Sequence, residues 1–104
     1  MKMDFERVRA LYCELLEFLT RHETNAIRGC IPLISETIDK LSSLDSEEDK
    51  TQFVLWSYAA LFRSRGGLAE FYLWDDDYQK RLALNEPFEK IRDKLWRTMK
   101  PYFT

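Results

Sequence analysis

Apolar residues recur at intervals of three and four along most of the chain, the spacing that places them on one face of an α-helix. In residues 4 to 21 they form a broad stripe, and Asp4 stands where the N-cap of a helix is expected. The stripe consists of Phe5, Val8, Leu11, Tyr12, Leu15, Leu16 and Leu19. The pattern predicts an amphipathic first helix over residues 4 to 21.

The second helical segment is rich in isoleucine. Its apolar residues are Ile27, Ile31, Ile34, Ile38 and Leu41. Gly29 and Pro32 fall early in this segment, and a proline in the interior of a helix removes a hydrogen bond and kinks the helix. The regular part of the second helix is therefore predicted at residues 32 to 43.

Two further helices are marked at their ends. The third opens with Ser46 and Asp49, a weaker form of the capping box, and closes at the glycine pair 66 and 67. Its apolar residues cover most of its circumference, which is typical of a central helix. The fourth helix is predicted to begin at Asn85 as N-cap, with Pro87 in the first turn, and to end before Pro101.

Residues 68 to 84 fit neither the helical nor the strand period cleanly. "LAEFYLW" is compatible with a short buried helix or a strand, and "DDDYQKRLAL" with a turn that leads into another helical turn or two. Irregular segments on a rigid scaffold are frequent places for function. The segment is therefore the first candidate for a functional site.

These elements predict an all-α fold: a compact bundle of four main helices with short extra helical turns between the third and the fourth. A chain of 104 residues forms a single helical domain over 1–104, since it is too short for two independent cores. The predicted core consists of Leu15, Leu19, Ile31, Ile34, Ile38, Trp56, Leu61, Phe88, Ile91 and Leu95.

Composition and charge narrow the classes of function. The N-terminus resembles no secretory signal, and no segment reaches the roughly 20 apolar residues of a membrane span, so a cytoplasmic protein without a membrane partner is expected. The net charge of −2 argues against nucleic-acid binding, which relies on clustered basic residues. Residues 36 to 50 carry six acidic against two basic residues, whereas residues 88 to 104 carry five basic against two acidic.

The sequence contains no recognisable catalytic pattern. The single histidine, His22, stands at the end of the first helix, where a cation favours the carbonyl end of the helix dipole. No zinc-protease, nucleophile-elbow or phosphate-loop motif is present. Cys13 and Cys30 have no metal-binding spacing and are expected to be buried thiols. We therefore predict no enzymatic activity and no cofactor.

Three consecutive aspartates, Asp75, Asp76 and Asp77, are framed by Trp74 and Tyr78. The carboxylates lack the alternating ligands and the glycine of a calcium loop, so a metal site is disfavoured. They are compatible with a solvated turn that caps the following helix. They are also compatible with a surface that docks on a basic cleft, with carboxylates for steering and an aromatic anchor for affinity. The candidate contact residues are Glu70, Trp74, Asp75, Asp76, Asp77 and Tyr78, together with Glu47, Glu48 and Asp49.

The second half of the chain resembles a known family. A glycine turn with an apolar and acidic segment, "GGLAEFYLW", is followed by an acidic loop, "DDDYQ". A helix then follows, "NEPFEKIRDKLW", which has the form N-E-x-[LF]-[DE]-x-[IL]-R-x-[KR]-[LA]-[WY]. This order resembles the small helical immunity proteins of bacterial contact-dependent growth inhibition and related toxin systems. The resemblance covers residues 47 to 97 well and the first 45 residues only in general character.

The resemblance implies a cytoplasmic antitoxin that binds the C-terminal toxin domain of a cognate effector, frequently a nuclease such as an RNase. It carries over no individual residue, so the contact surface rests on the acidic and aromatic residues named above. The alternative is a small helical adaptor or regulatory subunit, which could dimerise through apolar residues of the third helix and residues 68 to 74. Monomer and dimer both stay open for the free protein.

Overall fold

The computed structural model describes residues 2 to 22, 27 to 62 and 67 to 103. Its four helices are α1 (Phe5–Arg21), α2 (Cys30–Leu41), α3 (Glu47–Phe62) and α4 (Tyr78–Met99). Two 3₁₀ turns, Leu68–Glu70 and Lys100–Tyr102, precede and follow α4. The described ranges contain no strand, and the prediction of an all-α bundle of four helices is confirmed.

Neighbouring helices of the bundle follow the order α3, α2, α1, α4. α1 contacts α2 and α4, and α2 contacts α3. Arg9 near the start of α1 donates to Ser42 Oγ, just after α2, at 2.8 Å, so these two helices are antiparallel. Phe18 near the end of α1 stacks on Phe88 of α4 with 5.8 Å between ring centroids. The bundle measures 47 × 25 × 23 Å, so it is elongated along the helices.

Most of the predicted core is buried, with one clear error. Seven of the ten predicted residues are buried: Leu15, Leu19, Ile34, Leu61, Phe88, Ile91 and Leu95. Ile31 and Ile38 are half-buried at the margin of the core. Trp56, however, is 59% exposed, because α3 buries the face that holds Val54, Tyr58 and Leu61. Apolar residues on most of the circumference of α3 left its buried face undetermined by the sequence pattern.

The starts of the first three helices follow their local chemistry. Asp4 caps α1 by accepting a hydrogen bond from the Arg7 amide at 3.1 Å, and Ser46 Oγ accepts from the Asp49 amide at 3.1 Å before α3. α2 covers residues 30 to 41 rather than 32 to 43, because Pro32 lies in the first turn, where its missing N–H would have no partner in the helix. The predicted end of α3 at Gly66 lies outside the described residues.

The predicted start of the fourth helix at Asn85 is wrong. α4 begins at Tyr78, with Asp77 as N-cap, so Asn85 and Pro87 both lie inside the helix. The Asn-x-Pro pattern resembles a helix start, but the Asn85 side chain is used in a tertiary contact instead. The predicted end is confirmed, since α4 stops at Met99 and Pro101 lies in the 3₁₀ turn that follows.

A chain of buried hydroxyl groups connects three helices. The hydroxyls of Tyr12 and Ser57 are 3.2 Å apart, and those of Thr37 and Ser57 are 2.6 Å apart. Thr37 Oγ1 also donates to the Leu33 carbonyl oxygen at 2.8 Å. Desolvation by burial raises the pKa of Tyr12 well above its ordinary value. These bonds need one alignment of α1, α2 and α3, so they fix how the three helices lie against one another.

The two cysteines differ from the expectation of buried thiols. Cys13 is exposed on α1, so that expectation is wrong for this residue. Cys30 is partly buried at the start of α2, where desolvation raises the pKa of its thiol.

Candidate protein interface

The chain between the 3₁₀ turn and α4 runs extended and folds back onto the first turns of the helix. From residue 71 to 75 the side chains alternate between half-buried and exposed positions, as in an extended strand. Phe71 and Leu73 pack against the core, whereas Tyr72 and Trp74 point outward. We call residues 71 to 84, the extended segment and the first turns of α4, the tip.

Three aromatic rings hold the base of the tip. The Phe71 ring meets Phe88 edge-on at 5.1 Å and Phe18 at 6.4 Å between ring centroids. Phe18 and Phe88 are themselves buried and stacked on each other. Edge-to-face contacts of this kind favour a defined ring geometry, so they fix where the extended segment leaves the core.

Asn85 ties the extended segment to α4. Its side chain is 2% exposed and binds both backbone groups of Leu73. Oδ1 accepts from the Leu73 amide at 2.8 Å, and Nδ2 donates to the Leu73 carbonyl at 2.9 Å. Nδ2 also donates to the Arg81 carbonyl one turn earlier in α4, at 2.8 Å. The carboxamide thus replaces the neighbouring strand that an extended segment would otherwise need.

The three aspartates shape the turn at the outer end of the tip. Asp75 Oδ1 accepts from the Asp77 amide at 2.8 Å, and Asp77 Oδ1 accepts from the amides of Gln79 and Lys80 at 2.9 and 3.2 Å. The latter bonds cap α4. Asp76 Oδ1 accepts from the indole N–H of Trp74 at 3.1 Å. The predicted capping turn is therefore confirmed, and each carboxylate still has its Oδ2 without a hydrogen bond from any described residue.

The guanidinium of Arg81 lies over the rings of the two aromatic residues Trp74 and Tyr78. Its guanidinium carbon lies 4.3 Å from the centre of the Trp74 ring and 5.3 Å from that of Tyr78. At these distances a guanidinium is attracted to the ring faces. Sequence reasoning did not select Arg81, although Tyr78 three positions earlier on the same helix predicts such a contact.

The tip extends past the end of α1. Phe18 and Arg21 of α1 lie beside Pro87 and Ile91 of α4, so the residues of α4 before Pro87 reach about 14 Å beyond that point at about 1.5 Å per residue. Trp74 is 69% exposed and Tyr78 is 58% exposed. Tyr72 and Leu82 are also exposed in the tip. Neither is among the predicted toxin-contact residues, although Tyr72 falls within residues 68 to 74, which the alternative dimer would use.

The second group of predicted contact residues lies elsewhere. Glu47, Glu48 and Asp49 are exposed in the first turn of α3, where the Lys2 ammonium binds Glu47 at 2.9 Å. This is the end of the bundle at which α1 starts, whereas the tip extends beyond the end at which α1 stops. The distance between these acidic residues and the tip is therefore at least the length of α3, which is about 24 Å. Glu70 is exposed in the 3₁₀ turn that leads into the tip.

Other kinds of site receive no support from the geometry. The described residues contain no cluster of three or more histidine, cysteine or acidic side chains that could coordinate a metal ion. None of the described helices combines the length and the apolar character required to cross a bilayer. His22 follows the last turn of α1, and its ring contacts Phe18 at 4.7 Å.

Comparison of the chain with protein-family models, with curated proteins and with solved structures finds no match.

Proposed function

We propose that the protein is an immunity protein that binds the toxin domain of a contact-dependent inhibition effector through the tip and blocks its activity in the cytoplasm. The carrying observation is that Trp74 and Tyr78 are mostly exposed in a segment that internal bonds hold in one conformation. Exposed aromatic clusters of this kind are typical of protein-binding sites.

The aromatic residues account for the affinity. A tryptophan side chain buries up to about 250 Å², so a Trp74 that is 69% exposed still offers roughly 170 Å² to a partner. At about 25 cal/mol per Å², covering that surface corresponds to roughly 4 kcal/mol before the costs of association are subtracted. Because Asn85 and Asp77 already order the segment, little conformational entropy is lost when it binds.

The carboxylates account for the choice of partner. Asp75, Asp76 and Asp77 lie together at the outer end of the tip, and each keeps one oxygen for an external donor. Such a group attracts lysine and arginine side chains and speeds association with a basic surface. Nucleases have basic clefts because they bind phosphates. A nuclease toxin domain is therefore the proposed partner.

An immunity gene is expected to lie directly downstream of the gene for its effector, so the test uses the C-terminal domain of the protein that the gene directly upstream encodes. The purified chain should bind that domain with a dissociation constant that isothermal titration calorimetry can measure, and it should protect cells that express the domain. The variant Trp74→Ala should raise the dissociation constant at least about 30-fold, as expected for a hot-spot residue.

Trp56→Ala is the matched control, since Trp56 is a tryptophan that is 59% exposed on α3, away from the tip. It should bind like the parent chain. If the parent chain neither binds the domain nor protects the cells, the immunity function is wrong. If only Trp56→Ala weakens binding, the contact surface lies on α3 instead.

A homodimeric adaptor is the second candidate, because α3 has an exposed tryptophan beside a half-buried phenylalanine. Trp56 contacts Phe53 with 5.6 Å between ring centroids. Two copies that cover each other's Trp56 would form a symmetric interface. Analytical ultracentrifugation distinguishes the candidates: a dimer that Trp56→Ala dissociates favours the adaptor, and a monomer at micromolar concentration counts against it.

A further inference from the structure

Arg81 is a feature of the tip that an acidic docking surface alone does not explain. Its side chain forms no ion pair with any described residue, although three aspartates stand four to six positions before it. Its contacts within the described chain are instead the faces of Trp74 and Tyr78. Among the described residues, Arg81 thus follows the three aspartates closely in the chain and forms an ion pair with none of them.

The guanidinium N–H groups of Arg81 donate to none of the described residues, so they are available to an external acceptor. A guanidinium stacks through its flat faces, whereas its N–H groups lie in the plane and point outward. The Oδ1 atoms of the three aspartates are occupied by Trp74 and by backbone amides. The two rings therefore restrict the position of the Arg81 side chain, which reduces the entropy lost when it forms a bidentate bond with an external acceptor.

The surrounding charges determine which acceptor fits. A phosphate or a nucleic acid carries dense negative charge, which Asp75, Asp76 and Asp77 would repel. A single carboxylate surrounded by lysines and arginines has the complementary arrangement of charges. The carboxylate would lie opposite Arg81, and the basic side chains around it would lie opposite the aspartates.

We infer that Arg81 binds an aspartate or glutamate side chain of the partner, located within the partner's basic cleft. This inference rests on the proposed immunity function and specifies its partner. It also gives the tip a means of discrimination: a cleft with a lysine or arginine at that position would face Arg81 with a like charge and bind poorly.

The first measurement compares substitutions of Arg81 with a control on the same helix. Arg81→Met should raise the dissociation constant for the upstream-encoded toxin domain at least tenfold, and Arg81→Lys should recover only part of the loss because an ammonium cannot bind bidentately. Arg97→Met is the control, since Arg97 is exposed and pairs with Asp93 one turn away, outside the tip. It should leave the dissociation constant within about twofold of the parent value.

The second measurement is a double-mutant cycle. Each acidic residue in the cleft of the toxin domain is changed to its amide and tested against the parent chain and Arg81→Met. One of them should weaken binding to the parent at least tenfold and have little effect on Arg81→Met. If Arg81→Met binds as the parent does, or if no acidic residue couples to it, the inference is wrong while the immunity function stands. If the parent chain binds no toxin domain, both are wrong.

Discussion

Replacement of Asn85 by alanine should loosen the tip and destabilise the protein. The substitution removes the three hydrogen bonds that the carboxamide makes with Leu73 and with the Arg81 carbonyl. At about 1 kcal/mol each, their loss costs roughly 3 kcal/mol. Alanine has a higher helix propensity than asparagine, which returns roughly 0.5 kcal/mol. The expected decrease in the free energy of unfolding is therefore about 2 to 3 kcal/mol.

Two measurements separate local loosening from global loss of stability. Urea denaturation followed by circular dichroism gives the change in the free energy of unfolding. Amide hydrogen exchange reports the Leu73 N–H, which should lose its protection, while the amides of α1 should show only the global decrease. Gln79→Ala is the control, because Gln79 carries the same carboxamide in the exposed first turn of α4. It should change neither measurement appreciably.

The contradicting outcome is that Asn85→Ala unfolds at the parent urea midpoint and keeps the protection of the Leu73 amide. In that case the carboxamide would not hold the extended segment, and the preformed tip would have another cause. Asn85→Asp gives a further check. It keeps the shape and the acceptor but places one carboxylate oxygen against the carbonyl oxygens of Leu73 and Arg81, so it should destabilise the protein at least as much as alanine does at neutral pH.

Three other outcomes are expected. Changing Asp75, Asp76 and Asp77 together to asparagine should leave the melting temperature within a few degrees of the parent value, because asparagine caps helices about as well as aspartate. The change should reduce both the association rate with the toxin domain and the salt dependence of that rate. An unchanged association rate at low salt would leave the carboxylates only their structural role. Ser57→Ala should lower the free energy of unfolding by about 1 to 3 kcal/mol, because it leaves the buried Tyr12 hydroxyl without its partner, and a parent-like urea midpoint would contradict this. Because the pKa of Tyr12 is raised in the folded state, the unfolded state loses the phenolic proton at a lower pH, and the free energy of unfolding should fall as the pH rises above about 10. Tyr12→Phe should show a smaller decrease in melting temperature over that range. An equal decrease would assign the alkaline sensitivity to other groups.

The sequence by itself determined the helical architecture and the chemistry of the helix ends. The periodic stripe of α1 and the caps at Asp4 and Ser46 depend on residues within one or two turns of each other, so a local pattern contains the whole signal. The same holds for the turn at Asp77, whose capping bonds reach only two and three positions along the chain. Local chemistry also explains why the aspartates were recognised both as a turn and as a candidate surface.

Only the tertiary structure decided the role of Asn85 and the face of α3 that is buried. Asn85 binds Leu73, twelve positions earlier, and no local pattern distinguishes that use of an asparagine from a helix cap. Trp56 is exposed because packing against α2 buries other residues of a helix that is apolar on most sides. Tertiary contacts also place Trp74 beside Arg81 and keep Glu47 away from the tip. Which residues belong to the candidate site therefore depends on the packing of the helices and not on the order of the residues along the chain.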